Sequence, residues 1–314
     1  MRRVGESGLT LSRIGLGTMT WGRDTDTHEA ADQCRAYTEA GGNFLDTSPL
    51  YGDGDAERVI GGMIGTLFKR DEVVIATKAG QYIKSGEKFV DNSRTSLLAE
   101  LDKSLSRLGS EYIDLWQVSA WDNHTPIEET LSALDHAYIS GKARYIGLSN
   151  FSGWQSARAA TLQSLNDLKA PIVSLQNEYS LLNREVEHEI LPFVDNLNLG
   201  FLAWAPLGRG VLTGKYMNGI PSDSRAAAPH FMKHVAPYLG EDSARIVKAI
   251  SIAAEGLGFA PLEVALAWVR DNRQVTSAIV GARTGAQMRG ILTSEEITLP
   301  QTIRDVLDEV SAVL

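Results

Sequence analysis

The chain has 314 residues, of which 43% are hydrophobic and 22% charged, with 39 acidic against 30 basic side chains and a net charge of −9. That balance excludes a nucleic-acid binder, which needs a basic surface to neutralise phosphates, and no apolar run is long enough to span a bilayer. The opening Met1-Arg2-Arg3-Val4 lacks the apolar core of a signal peptide, and the single cysteine, Cys34, has no disulfide partner, so a soluble cytoplasmic protein is expected.

In chain order, Val4 to Leu11, with Glu6-Ser7-Gly8 as a turn, reads as a small hairpin. Arg13 to Gly17 is the first barrel strand, and Thr27 to Ala40 is a helix closed by Gly41-Gly42. Asn43 to Asp46 is the second strand, followed by a helix from Asp55 to Phe68 in which Ile60, Ile64 and Leu67 share a face. Val73 to Thr77 is the third strand. Ser93 to Leu108 follows as a helix with one leucine stripe and Gly109 as its stop. Ile113 to Val118 is the fourth strand, and Pro126 to Ser140 a helix with an acidic first turn. The alternation continues through Tyr145–Leu148, a helix near residues 152–168, Ile172–Leu175, a helix near Arg184 to Leu197, and Gly200–Ala203. Helices at Ser243–Gly256 and Pro261–Asn272 precede the last strand, Ser277–Val280, and helices near residues 284–293 and 300–313 finish the chain.

Eight strand-and-helix units predict a (β/α)8 TIM barrel, because each parallel step needs a helical crossover. The opening hairpin is expected across the barrel floor and the last helices as additions to it. No linker or shift in composition divides residues 1–314, so a single domain is expected. The competing open dinucleotide-binding sheet would carry G-x-G-x-x-G after its first strand. Thr20 stands where the third glycine after Gly15-Leu16-Gly17 is required.

Three strands end in residues suited to proton handling: Asp46, with Tyr51 five residues on, Lys78 and Ser119. Polar residues on several strand ends are the sequence image of a barrel active site. A phenol with a pKa of about 10 is a poor acid near neutrality. A neighbouring lysine cation favours phenolate and lowers that value, and Asp46 would keep the lysine charged despite burial. Taken singly, Asp46 also reads as a turn cap, Tyr51 as a packed aromatic and Lys78 as a surface lysine, but the three together favour a site. The long stretch Pro221-Ser222-Asp223-Ser224-Arg225, through Phe231, reads as a functional loop over a bound molecule. Trp154 and Trp268 lie in helical patterns and read as packing. No outer helix carries an apolar stripe left over for an interface, so the oligomeric state stays open, and no metal-ligating cluster is evident.

Several motifs together resemble the aldo-keto reductase family over nearly the whole length. They are Asp46-Thr47-Ser48-Pro49-Leu50-Tyr51-Gly52, Ala76-Thr77-Lys78, Gly147-Leu148-Ser149-Asn150-Phe151, Gln176-Asn177-Glu178-Tyr179-Ser180, Ala205-Pro206-Leu207-Gly208-Arg209-Gly210 and Gly281-Ala282-Arg283-Thr284. The resemblance implies an NADPH-dependent reductase of small-molecule carbonyls, with Tyr51 as proton donor, Lys78 tuning it and Asp46 holding Lys78. It implies that Ser149, Asn150 and Gln176 hold the nicotinamide carboxamide and that Trp204 stacks on its ring. Thr18, Met19, Asp46, Pro206, Leu207, Gly208, Gly210, Lys215 and Gly281 fall on cofactor-lining positions. Arg225 is expected to close over the pyrophosphate. Arg283, with Gln287, is expected at the adenosine 2′-phosphate, which favours NADP(H) over NAD(H). The family often continues there with Glu-Asn, whereas this chain reads Arg289-Gly290-Ile291, so the adenine would be gripped less firmly or by Arg289. Trp21 and Trp121 are the expected substrate walls.

The departure is Ser119, where the family usually has histidine. A serine hydroxyl is shorter than imidazole and cannot become a cation; a water, or His124 swinging in from its loop, would fill the gap. Two other functions therefore stay open: an NADP(H)-binding protein with little turnover, and a reductase of C=C bonds.

Overall fold

The structure, a computed structural model, describes residues 1–165, 170–222 and 224–312. Strands β1 (Arg2–Arg3) and β2 (Thr10–Leu11) pair antiparallel as the expected hairpin. After it come β3 (Ile14–Gly17), α1 (Thr27–Glu39), β4 (Phe44–Asp46), α2 (Asp55–Met63) and β5 (Val74–Ala79). A second hairpin follows, β6 (Gln81–Lys84) and β7 (Glu87–Val90), then α3 (Arg94–Leu108), β8 (Ile113–Val118), α4 (Ile127–Ile139), β9 (Ala143–Ser149) and α5 (Gly153–Leu165). The rest is β10 (Ile172–Glu178), α6 (Ile190–Asn196), β11 (Gly200–Trp204), α7 (Pro229–Val235), α8 (Glu241–Leu257), α9 (Pro261–Arg270), β12 (Val275–Val280), α10 (Gly285–Leu292) and α11 (Gln301–Val310). Eight parallel strands close in the order β10-β11-β12-β3-β4-β5-β8-β9, the (β/α)8 barrel expected.

The first hairpin plugs the floor. Val4, Leu9 and Leu11 are buried in one cluster with Phe44, Ala76, Leu115, Val173, Leu202 and Ile279, supplied by six of the barrel strands. Period-two alternation then decides what lies above that layer. Two residues beyond Phe44, Ala76 and Leu115 come Asp46, Lys78 and Gln117, and two beyond Gln117 comes Ser119. The apolar floor and the polar mouth are thus the same strand faces read at successive steps.

Three expectations are corrected. The helix begun at Asp55 stops at Met63: Ile64 is extended, Gly65 is left-handed, and Gly65 N–H turns back to the Phe68 carbonyl at 2.8 Å. The helix expected from Arg184 to Leu197 is a short 3-10 turn at Glu185–Glu187 followed by α6. Pro192 explains the split, since its ring would clash with the carbonyl four residues earlier in a continuous helix. The long connection after β11 is not a bare loop but holds α7 and flanking 3-10 turns. The helix expected to reach 168 is described through Leu165 and the one expected to reach 313 ends at Val310, and both expected ends, with Asp223, lie outside the described residues. Among the described residues, no single helix is long and apolar enough to cross a membrane.

Candidate active site

Lys78 lies one residue before the end of β5, with its Nζ 2.7 and 2.8 Å from the two Asp46 oxygens and 3.0 Å from the Thr47 carbonyl. Both side chains are almost closed off from solvent, at 6% and 3% exposure. A buried ammonium is tolerable only with this kind of pairing and satisfaction. Burial works to lower the Lys78 pKa, but Asp46 and its neighbours overcome it and hold the ammonium above the ordinary lysine value. Asp46 is itself fixed: Gln176 Nε2 donates to it at 2.8 Å, and Thr18 bonds its carbonyl through both N–H and hydroxyl.

Tyr51 is half-buried, its ring centroid 5.7 Å from Lys78 Nζ. Sequence reasoning expected the cation to make this phenol more acidic than usual. The balance runs the other way. Burial raises the phenol pKa, Asp46 adds to the rise, and Lys78 with Arg225 only offsets part of it.

Ser119 lies buried just past β8, its N–H on the Ala79 carbonyl and its carbonyl accepting from Asn150 Nδ2, both at 2.9 Å. Asn150 is left-handed (φ 55°), which lets one side chain bridge three groups. Its amide also donates to Ser149 Oγ at 3.2 Å, and its oxygen accepts from Trp204 Nε1 at 3.1 Å. Ser119, Ser149, Asn150, Gln176 and Trp204 therefore line one mouth with Asp46, Tyr51 and Lys78. His124 does not join them; it stands exposed in a loop whose shape Asp122 fixes by accepting from Asn92, His124 and Thr125.

The two expected substrate walls separate. Trp21 is fully buried and donates to Gln33 at 3.0 Å, so it is core rather than wall. Trp121 stays partly open, edge-on to Phe151 at 5.5 Å and to Trp154 at 5.2 Å. Trp154, read as packing, is 57% exposed. Helical periodicity cannot tell which face of α5 is covered, whereas the position of Trp154 in the first turn after a barrel strand does mark it as near the mouth.

After β11, Ala205, Gly208, Arg209 and Gly210 are all left-handed, so the chain folds back tightly past Pro206 and Leu207. Arg209, missed in the sequence reading, pairs through Nε and Nη2 with Glu178 at 3.0 and 2.7 Å and donates to the His234 carbonyl at 3.1 Å. Lys215 reaches back over Gly210: a Cβ there would lie 3.1 Å from its Nζ. Arg225 lies beside Gly281, where a Cβ would come 3.4 Å from its Nη2 and 3.3 Å from the Gly17 carbonyl. Burial depresses the Arg225 pKa, and the like charges of Arg283 and Arg209 push the same way. Cations gathered at a glycine-floored recess in an acidic chain suit an anion such as a pyrophosphate or a phosphate monoester. Gln287 Oε1 accepts from Arg283 N–H at 2.9 Å, which brings these two expected residues together. Arg289 instead pairs with Asp32 on α1, at 3.0 and 3.2 Å, and so braces α10 rather than facing an adenine. Met19 is exposed beside Thr18 at the β3 end. Among the described residues there is no group of three side chains able to hold a metal ion.

Residues 13–312 match the model of the Aldo/keto reductase family. A probable voltage-gated potassium channel subunit beta of Oryza sativa subsp. japonica is 35% identical, covering 100% of this chain and 96% of that protein. The L-glyceraldehyde 3-phosphate reductase of Escherichia coli O157:H7 is 36% identical over 91% of this chain and 85% of its own length. Aldo-keto reductase YhdN of Bacillus subtilis is 32% identical over 92% and 86%. With a closed eight-stranded barrel and a match from the first barrel strand to the last helix, this chain belongs to the aldo/keto reductase family of oxidoreductases.

Proposed function

We propose that the protein reduces the carbonyl of a small aldehyde or ketone with NADP(H). The observation that carries this reading is the lysine clamped on both Asp46 oxygens beneath the Tyr51 ring. The cofactor these residues would hold would supply hydride for the carbonyl carbon. Tyr51 holds the proton for the carbonyl oxygen, and Lys78 stabilises the phenolate left behind. Asp46 keeps Lys78 charged and aimed. Ser149, Asn150 and Gln176 offer amide and hydroxyl groups to the nicotinamide carboxamide, and Trp204 an aromatic face to its ring. Gly208, Gly210, Lys215 and Arg225 suit the pyrophosphate, with Arg283 and Gln287 at the 2′-phosphate. Trp121, Phe151 and Trp154 give the substrate an aromatic wall. Ser119, shorter than an imidazole, donates one hydrogen bond toward the carbonyl, directly or through a water, so orientation is weaker than an imidazole would give. The relative named for reducing L-glyceraldehyde 3-phosphate supports a small aldehyde as substrate.

A second reading, an NADP(H)-binding protein with little turnover, is favoured by Ser119 and by the relatives named as channel subunits. Single-turnover oxidation of bound NADPH by 4-nitrobenzaldehyde or methylglyoxal, followed by fluorescence, separates the two. Turnover by the native chain that Tyr51→Phe abolishes supports the reductase. Tight NADPH binding without oxidation until Ser119→His is introduced supports the binder.

A further inference from the structure

Glu57 is a buried carboxylate that proton transfer does not use. It lies in the first turn of α2, fully enclosed. One oxygen accepts from Thr77 Oγ1 at 2.6 Å, and the other pairs with Arg107 Nε on α3 at 2.5 Å. Arg107 also bonds Glu100 and Ser104. Its side chain packs on Gly54, where a Cβ would come within 2.6 Å of Arg107 Cδ.

A buried ion pair is weak support for stability, since burying two charges costs about what their attraction returns. What the two ends carry matters more. Thr77 directly precedes Lys78 on β5. On the other side, α2 is joined to Tyr51 by three successive left-handed residues, Gly52, Asp53 and Gly54, with φ of 60°, 55° and 83°. Two of these are glycines, and the turn is tied to the helix by Asp55 N–H on the Gly52 carbonyl and Ala56 N–H on the Tyr51 carbonyl, both at 3.2 Å. Where the first turn of α2 is pinned therefore decides where the phenol sits.

We propose that Glu57, gripped by Thr77 and Arg107, is a positioning residue that fixes the Tyr51 phenol against Lys78 for proton transfer. The proposal rests on the carbonyl-reductase reading. Glu57 touches no reacting atom and acts through the strand and the helix that carry the two groups. Its negative charge, behind that of Asp46, also favours the charged form of Lys78 against the opposing effect of burial.

The test uses the full chain with Thr77→Val, Thr77→Ser and Glu57→Gln, scoring NADPH oxidation by 4-nitrobenzaldehyde. The Tyr51 phenol is titrated separately, as the tyrosinate absorbance lost when Tyr51→Phe is added to each background. Thr77→Val keeps the charge and nearly the shape, so it decides the matter even if Glu57→Gln fails to fold. Displacing the phenol predicts kcat lower by about tenfold with KM and NADPH affinity unchanged. It also predicts a displaced Tyr51 titration and recovery of both in Thr77→Ser. Unchanged kcat and an unmoved titration in Thr77→Val, beside a lowered Tm, would reduce Glu57 to a brace and overturn the proposal. If the native chain oxidises no NADPH, the reductase reading fails by itself, and the phenol titration still decides the role of Glu57.

Discussion

Lys78 and Tyr51 are neighbours whose replacement has unlike consequences. Removing the ammonium leaves the buried Asp46 short of its main partner, so Lys78→Met should cost about 3–5 kcal/mol in urea unfolding. Tyr51→Phe removes only a hydroxyl and should stay within about 1 kcal/mol of the native chain while losing carbonyl reduction. Stability curves and turnover for the pair would separate the roles, and a mild Lys78→Met would mean that Asp46 finds another partner. The same geometry fixes a pH response. Burial holds the Tyr51 phenol above its ordinary value despite Lys78, so the acid keeps its proton through neutral and mildly alkaline solution. The kcat/KM for reduction should then stay level through about pH 9 and fall only above about pH 10. A fall centred near neutrality would point to another group as the acid.

At the scale of elements, the segment after β11 shows how a few contacts hold a mobile-looking connection. Arg209 joins Glu178 at the end of β10 to the carbonyl of His234 in α7, and Tyr238 adds its hydroxyl to the same carboxylate at 3.0 Å. Charge-assisted hydrogen bonds of this kind contribute about 1.5–3 kcal/mol each. Because they tie down one segment rather than the barrel, Arg209→Gln should raise limited proteolysis around α7 by roughly tenfold or more while shifting Tm little. Equal cleavage in both proteins would mean that packing of Phe231 and Val235 holds α7 without the clamp. None of this clamp was legible from spacing, since Arg209 reads as one more residue in a glycine-rich turn. The barrel strands were legible because each is a short apolar run with a polar end. The β6–β7 hairpin was not, because nearly all of it is exposed and no hydrophobic alternation marks it. Its one cue was Ser85-Gly86, whose φ values of 53° and 81° suit a two-residue hairpin turn. The residues gathered at the barrel mouth could be named from strand ends, whereas Trp21 and Trp154 exchanged places because sequence does not reveal which aromatic is covered.

For the whole molecule, several buried acids are held protonated by the fold. Tyr37 joins α1 to β3 and β4, its hydroxyl meeting Ser12 Oγ at 2.6 Å, the Ile14 carbonyl at 2.8 Å and Phe44 N–H at 3.1 Å. Tyr179 donates to Glu187 at 2.7 Å and accepts from Asn272 at 3.0 Å. Burial pushes both phenols well above their usual range, with Glu187 adding to the rise at Tyr179, and takes the Cys34 thiol up to about 12. Tyr51 and Lys78 are raised as well. A group with a higher pKa in the folded state binds its proton more tightly there. Its contribution is therefore complete below the unfolded value and drains away as pH rises through the folded one. For the phenols and Lys78 the loss begins near pH 10, and for Cys34 from about 8.5. Urea midpoints should accordingly hold nearly level from pH 7 to about 8.5 and fall with increasing steepness above about 10, since each raised group adds up to about 1.4 kcal/mol per pH unit. Part of the tyrosinate absorbance should appear together with loss of circular dichroism. Tyr37→Phe, less stable at neutral pH for want of its hydrogen bonds, should show a shallower alkaline decline by up to one such increment. Tyrosinates that all form by pH 11 with the urea midpoint unmoved would show that the barrel does not couple these protons to its folding.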